Sequence, residues 1–203
     1  MMIKRLLITV FILSTLYSCS SSVKPKEQTN IPQKDTSVIG RFLENFDSSK
    51  LPLLIPDDLN GKTHVIDSKV IENLCADKSF TSPFTVKDVP DLGKNAGASQ
   101  YYGEKMFLTS KKGIYGVIIR KKDQGEYYFL CTMNAKAEMI GGICVAFQEG
   151  DGVNILERNA TVNDDYSIQV MQSDVSGAKD PTSKSVFFEI SADGSINLIK
   201  KGI

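Results

Sequence analysis

From about residue 100 onward the chain repeats one unit: a run of strand-forming residues, then a short turn. Residues 105–109, 113–120, 127–133, 138–148, 154–157, 166–171, 186–190 and 195–200 all read as strands. Most are separated by turn chemistry such as Lys122-Asp123-Gln124-Gly125, Gly150-Asp151-Gly152, Asn163-Asp164-Asp165 and Asp193-Gly194. Connections this short join antiparallel neighbours, because parallel pairs need long crossovers. The expected fold is therefore mainly β with a minor α component: an antiparallel β-meander preceded by one or two short helices.

Register can be read at the last hairpin. A three-residue loop Ala192-Asp193-Gly194 sets Ile190 opposite Ile196 and Phe188 opposite Leu198, so both apolar pairs share a face. Gly194 then takes the left-handed position of a bulged turn. The runs 127–131 and 139–147 are apolar on both faces and are expected at the centre of the sheet. Gly141-Gly142 inside the second run implies a bulge, a bend or a close approach, with sheet curvature the plainest account. With 134–137 as the loop between these runs, Met133 is expected opposite Glu138, Cys131 opposite Ile140 and Cys144 opposite Tyr127. The two sulfurs would then lie about 14 Å apart.

Before the meander, Val38-Ile39, Phe42-Leu43 and Phe46 have helical spacing, with Thr36 or Ser37 as N-cap. Val70-Ile71 and Leu74-Cys75 after Asp67 predict a second short helix. Leu51 to Pro56 should be extended, since Pro52 and Pro56 both oppose helix. Lys62 to Ile66 reads as a short strand, and residues 76–99 as mostly loop.

The N-terminus has a different logic. Lys4 and Arg5 precede the apolar run Leu6 to Leu13, and small residues lead on to Cys19. This order marks an export signal, and the run is too short to span a bilayer. Leu16-Tyr17-Ser18-Cys19 resembles a lipobox, with Tyr17 standing where a small residue is usual. The resemblance implies cleavage before Cys19 and acylation of Cys19, with several acyl chains giving a stable membrane anchor. Ser20-Ser21-Ser22 places no acid after the cysteine, which by resemblance to Gram-negative lipoproteins implies the outer membrane. Residues 20–36 are polar, contain Pro25 and Pro32 and lack periodicity, so they read as a flexible tether. The expected organisation is a signal peptide over 1–18, a lipidated Cys19 and tether over 19–36, and one β-rich domain over 37–203. Lipobox, serine run, tether, helix, Leu51-Pro52 segment and terminal meander together resemble small Bacteroidetes lipoproteins of unknown function, a resemblance that carries no activity with it.

Chemistry is sparse. Formal charge is balanced, with 24 basic and 24 acidic residues, and signal cleavage leaves the remainder slightly acidic, which argues against a nucleic-acid face. The absence of Trp weakens a carbohydrate-stacking platform. His64 is the only histidine, so any triad must use it; a structural or surface histidine is the plainer reading. Cys75, Cys131 and Cys144 form no CxxC or zinc spacing and read as buried apolar residues. An odd number of cysteines beyond Cys19 implies free thiols, or one pair and one free thiol. Asp57-Asp58, Asp164-Asp165 and Glu149 with Asp151 fall in turns, where acids serve the backbone, and no EF-hand spacing occurs. No catalytic residue, metal site or cofactor is expected. The one suggestive group is Tyr101, Tyr102, Tyr115, Tyr127 and Tyr128, read as a candidate surface for a small ligand or protein, with core packing as the alternative. The expected role is a non-catalytic binding or scaffold module held at the membrane through the Cys19 lipid. A hydrolase using acidic residues and a structural envelope protein are the other readings.

Overall fold

The computed structural model describes residues 38–59, 61, 63–76, 80, 91–94, 96–111, 113–150, 155–174 and 182–201, all within the compact unit Lys34–Ile203. The signal, Cys19, the tether and the expected N-cap at Thr36 or Ser37 lie outside the described residues. No helix among the described residues is long and apolar enough to cross a membrane.

Helix α1 spans Val38–Leu43. Phe42, Leu43 and Phe46 are buried on one side of it, while Arg41 and Glu44 are exposed. It ends where the Asn45 side-chain amide donates to the Phe42 carbonyl at 2.9 Å, taking one of the acceptors that a helix end leaves open. Strands β1 (Asp47–Ser48), β2 (Leu53–Ile55) and β3 (His64–Ile66) follow. Helix α2, Ser68–Cys75, is capped by Asp67, whose carboxylate accepts from the Lys69 N–H. Its Ile71 and Cys75 are one turn apart and both buried; Val70 stays 38% exposed, so the inward face is narrower than the apolar spacing implies.

The meander then runs as expected: β4 (Gln100–Leu108), β5 (Ile114–Lys122), β6 (Glu126–Asn134), β7 (Met139–Gly150), β8 (Ile155–Val162), β9 (Ser167–Asp174), β10 (Thr182–Ile190) and β11 (Ile196–Lys201). Strands β4 to β11 are neighbours in chain order, and β6 and β7 sit in the middle. The sheet is mixed only at its first edge, where β1 pairs with β4 in parallel while β3 pairs with it antiparallel.

Two cores lie on the two faces of this sheet. On one, Phe42, Phe46, Ile71 and Leu92 pack on Tyr101, Val117, Phe129, Cys131 and Met133. On the other, Phe107, Ile118, Leu130, Ile143, Val162, Ile168, Val170 and Phe188 form one cluster. These residues come from every strand between β4 and β10, so the sheet must curl to bring them together. The curl has a visible corner. β7 pairs with β6 from Met139 to Gln148, but with β8 only from Phe147 to Gly150. Beyond that, β8 leaves β7, and its Ala160 to Val162 take β2 as neighbour instead.

The last hairpin has the expected register, with Ile190 opposite Ile196 and Phe188 opposite Leu198. Gly194 has φ +90°, the left-handed conformation its turn requires. The β6–β7 register needs correction. Met133 faces Met139, Cys131 faces Gly142 and Phe129 faces Cys144. β7 carries two bulges, one leaving Ile140 unpaired and the other Val145. The turn holds one residue more than expected and the Ile140 bulge adds another to β7, which together slide Cys144 two residues toward Cys131, while the Val145 bulge shifts only the residues beyond Cys144. Close approach also operates at Gly142, where a Cβ would collide with the Phe80 ring. Strand β8 extends past the expected end to include Arg158, and β10 starts earlier, at Thr182.

Candidate functional site

One row of paired residues crosses six ladders: Ile66, Tyr101, Lys121, Tyr127, Phe147, Arg158 and Gln172. The next row is Val65, Tyr102, Arg120, Tyr128 and Ala146. Directly opposed residues share a face, and neighbours along a strand point to opposite faces. The five tyrosines are therefore divided. Tyr101, Tyr115 and Tyr127 pack on the helix-covered core, whereas Tyr128 packs on the other cluster. They do not make a single ligand surface, because each adjacent tyrosine pair straddles the sheet.

Their hydroxyls are largely committed. Tyr101 donates to the Leu92 carbonyl at 2.9 Å, Tyr127 donates to the Glu149 carboxylate, and Tyr102 donates to Gln100 Oε1 at 2.8 Å. The Arg120 guanidinium lies 4.5 Å from the centroid of the Tyr102 ring. Burial pushes the Tyr101 hydroxyl up to about 12. Burial, reinforced by Glu126, does the same to Tyr128.

Lys121 is only 1% exposed and holds Asp91 and Lys94 onto the sheet. Its Nζ donates to the carbonyls of Lys94 at 2.7 Å and Asp91 at 3.0 Å. Burial lowers its pKa, opposed by Asp123 and Asp91.

Arg158 stands in that row at the corner where β7 and β8 part. It is 2% exposed. Nη1 donates to the Cys144 carbonyl at 3.2 Å, and Nη2 to Gln172 Oε1 at 2.7 Å. The guanidinium lies 4.6 Å from the Phe147 ring centroid. Beside it opens a cleft of about 460 Å³. Tyr128, Phe147 and Pro56 give its apolar wall, and Asp57, Glu126, Gln148, Glu157 and Asn159 its polar rim. Glu126 is already engaged, by Arg120 at 3.2 Å and Lys122 at 3.3 Å. Glu157 accepts from Gln148 Nε2 at 2.9 Å.

Of the five tyrosines only Tyr128 reaches this cleft. Of the acids flagged in sequence that lie among the described residues, only Asp57 does. Asp58 accepts from the Leu54 N–H and Asp165 from the Ser167 N–H, the backbone roles expected of turn acids. Glu149 accepts from Tyr127, and Asp151 lies outside the described residues. Arg158 escaped the sequence reading, although the spacing Arg158, Ala160, Val162 places it on the inward face of β8 and was the available signal.

The remaining candidates assemble no chemistry. His64 is exposed on β3. Cys75, Cys131 and Cys144 are free and buried, and burial pushes the Cys75 and Cys144 thiols up to about 12. Burial drives Cys131 up as well. A protonated thiol is neither a nucleophile nor a metal ligand. No group of three or more His, Cys, Asp or Glu among the described residues could hold a metal ion. Comparison with family models, curated proteins and solved structures gives no match.

Proposed function

We propose that this chain is a lipoprotein of the bacterial cell envelope, anchored in the outer membrane through acyl chains on Cys19, whose β-rich domain is a non-catalytic binding or scaffold module. The observation that carries the anchor is the ordered signal: Lys4 and Arg5, the apolar run to Leu13, and Leu16-Tyr17-Ser18-Cys19. The polar residues 20–36 then serve as the tether, and the resemblance to small Bacteroidetes lipoproteins agrees with this arrangement. The binding role is supported by the Tyr128–Arg158 cleft, whose volume is that of a small-ligand pocket.

An acid-dependent hydrolase is the second reading, favoured by Asp57, Glu126 and Glu157 around one cleft. A glycosidase needs one carboxylate kept as an acid and one left available. Glu126 is instead held by two cations, and Glu157 by an amide.

Metabolic labelling with an acyl analogue, followed by membrane fractionation, tests the anchor. The wild type should be labelled and sediment with outer membranes after a carbonate wash. Cys19→Ala should be unlabelled and released. Equal retention of that variant rejects the lipid anchor.

A further inference from the structure

We infer that the cleft at the corner where β8 parts from β7 binds a neutral ligand rich in hydroxyl and amide groups, of the size of one or two sugar units. The inference names a ligand class for the binding module proposed above and rests on that reading of the domain, but not on the lipid.

The position of the cleft follows from the topology. Where β8 leaves β7, the sheet opens, and Arg158 closes the floor instead of a strand neighbour. Because that guanidinium is bonded to Cys144 and Gln172 and stacked on Phe147, the floor is rigid. A preformed floor lowers the ordering cost of binding.

The charge pattern selects the ligand. Three carboxylates, Asp57, Glu126 and Glu157, line the cleft together with Arg158, and Arg120 and Lys122 sit on Glu126. Charges of both signs converge within one small volume. An anion would lie among these carboxylates, and a cation would lie close to Arg158, Arg120 and Lys122. A hydroxyl suits both, since it donates to a carboxylate and accepts from an amide at once. The exposed amides of Gln148 and Asn159 likewise offer a donor and an acceptor each. The Tyr128 ring and Pro56 provide an apolar wall for the C–H face of a sugar. Tyr128 thus supplies the aromatic surface that the lack of Trp seemed to remove.

The test uses the full-length chain in a zwitterionic, sugar-free detergent. It is titrated with N,N′-diacetylchitobiose, maltose and lactose, and separately with spermidine and with inorganic phosphate, while amide resonances are followed by NMR. At least one saccharide should shift amides of Tyr128, Gln148, Glu157 and Asn159, with Kd between about 10 μM and 1 mM. Asn159 is exposed, so Asn159→Ala should leave Tm unchanged and weaken binding about fivefold or more. Tyr128→Phe keeps the ring and should bind within about threefold of wild type, whereas Tyr128→Ala should bind poorly; if Tyr128→Ala fails to fold, Asn159→Ala decides. Absence of a saccharide shift up to about 10 mM, shifts mapping elsewhere, or wild-type affinity in Asn159→Ala overturns the inference. Preference for spermidine or phosphate at the same residues also overturns it, while leaving the binding-module reading in place. The anchor stands or falls separately, on Cys19→Ala.

Discussion

Arg158 Nη1 donates to the Cys144 carbonyl across 3.2 Å, at the level where β7 loses β8 as a neighbour. Cys144 has no Cα partner on β8, since that ladder begins at Phe147 opposite Arg158. The guanidinium therefore satisfies a backbone acceptor that the curl of the sheet left open, and an unsatisfied buried acceptor is expensive. The same side chain reaches Gln172 on β9, so one residue ties three strands together at the corner.

Arg158→Leu should lower unfolding free energy by about 2–4 kcal/mol, because it strands the Cys144 carbonyl and Gln172 Oε1 together. Gln172→Leu should lose about 1–2 kcal/mol. Urea midpoints at unchanged m measure both. A midpoint within error of wild type for Arg158→Leu means the corner does not depend on this contact.

Glu104 makes stability depend on pH. It is 2% exposed beside Arg120, with Nε 2.7 Å from its carboxylate. Burial raises its pKa despite that cation. A carboxyl whose folded pKa is raised is protonated more readily in the folded state than in the unfolded one. Its contribution to stability is full below the ordinary value of about 4.3 and is lost as pH rises through the folded pKa. Glu104→Gln removes this term. The stability difference, wild type minus variant, should fall as pH rises from about 4 upward. A difference that grows with pH would show that Arg120 outweighs burial.

Much of this fold is written locally. The alternation and turns after residue 100 specify β4 to β11, and the Asp193-Gly194 turn specifies the last register, because both depend on residues close in sequence. Pairing of β2 with β8, and of β1 and β3 with β4, brings together segments 35 or more residues apart with no local signature. The bulge at Ile140 adjoins Gly141-Gly142, the pair whose place in a strand implies one, whereas the bulge at Val145 was silent, since an unpaired apolar residue in an apolar strand looks like its neighbours. The cleft is a product of that non-local geometry. Asp57 comes from the segment after β2, Glu126 and Tyr128 from β6, and Arg158 from β8, so spacing along the chain could not assemble it.

Ala137 has φ +62° in the β6–β7 turn, a left-handed conformation that carries a steric penalty for any residue with a Cβ. Ala137→Gly relieves that penalty and should gain about 0.5–1 kcal/mol, after the larger entropy of glycine in the unfolded chain is set against it. Thermal unfolding measures the gain. A lower Tm would mean that packing of the Ala137 methyl on the helix-side core outweighs the backbone strain.

Cys131 and Cys144 are closer than the sequence implies, and still not paired. With Cys131 opposite Gly142 and Cys144 opposite Phe129, they are diagonal neighbours two residues apart. Such neighbours stand about 7–8 Å apart, whereas disulfides favour Cα separations of about 5.5–6 Å. Burial adds a kinetic barrier. With the Cys144 pKa near 12 and Cys131 also driven up, almost no thiolate exists at neutral pH to start exchange. Native protein isolated without reductant should therefore resist iodoacetamide. After unfolding in denaturant alone, Cys75, Cys131 and Cys144 should all alkylate. A peptide cross-linked between Cys131 and Cys144 in the unreduced digest would show that the strands slide by a further residue pair, and that the bulge at Ile140 does not hold the register.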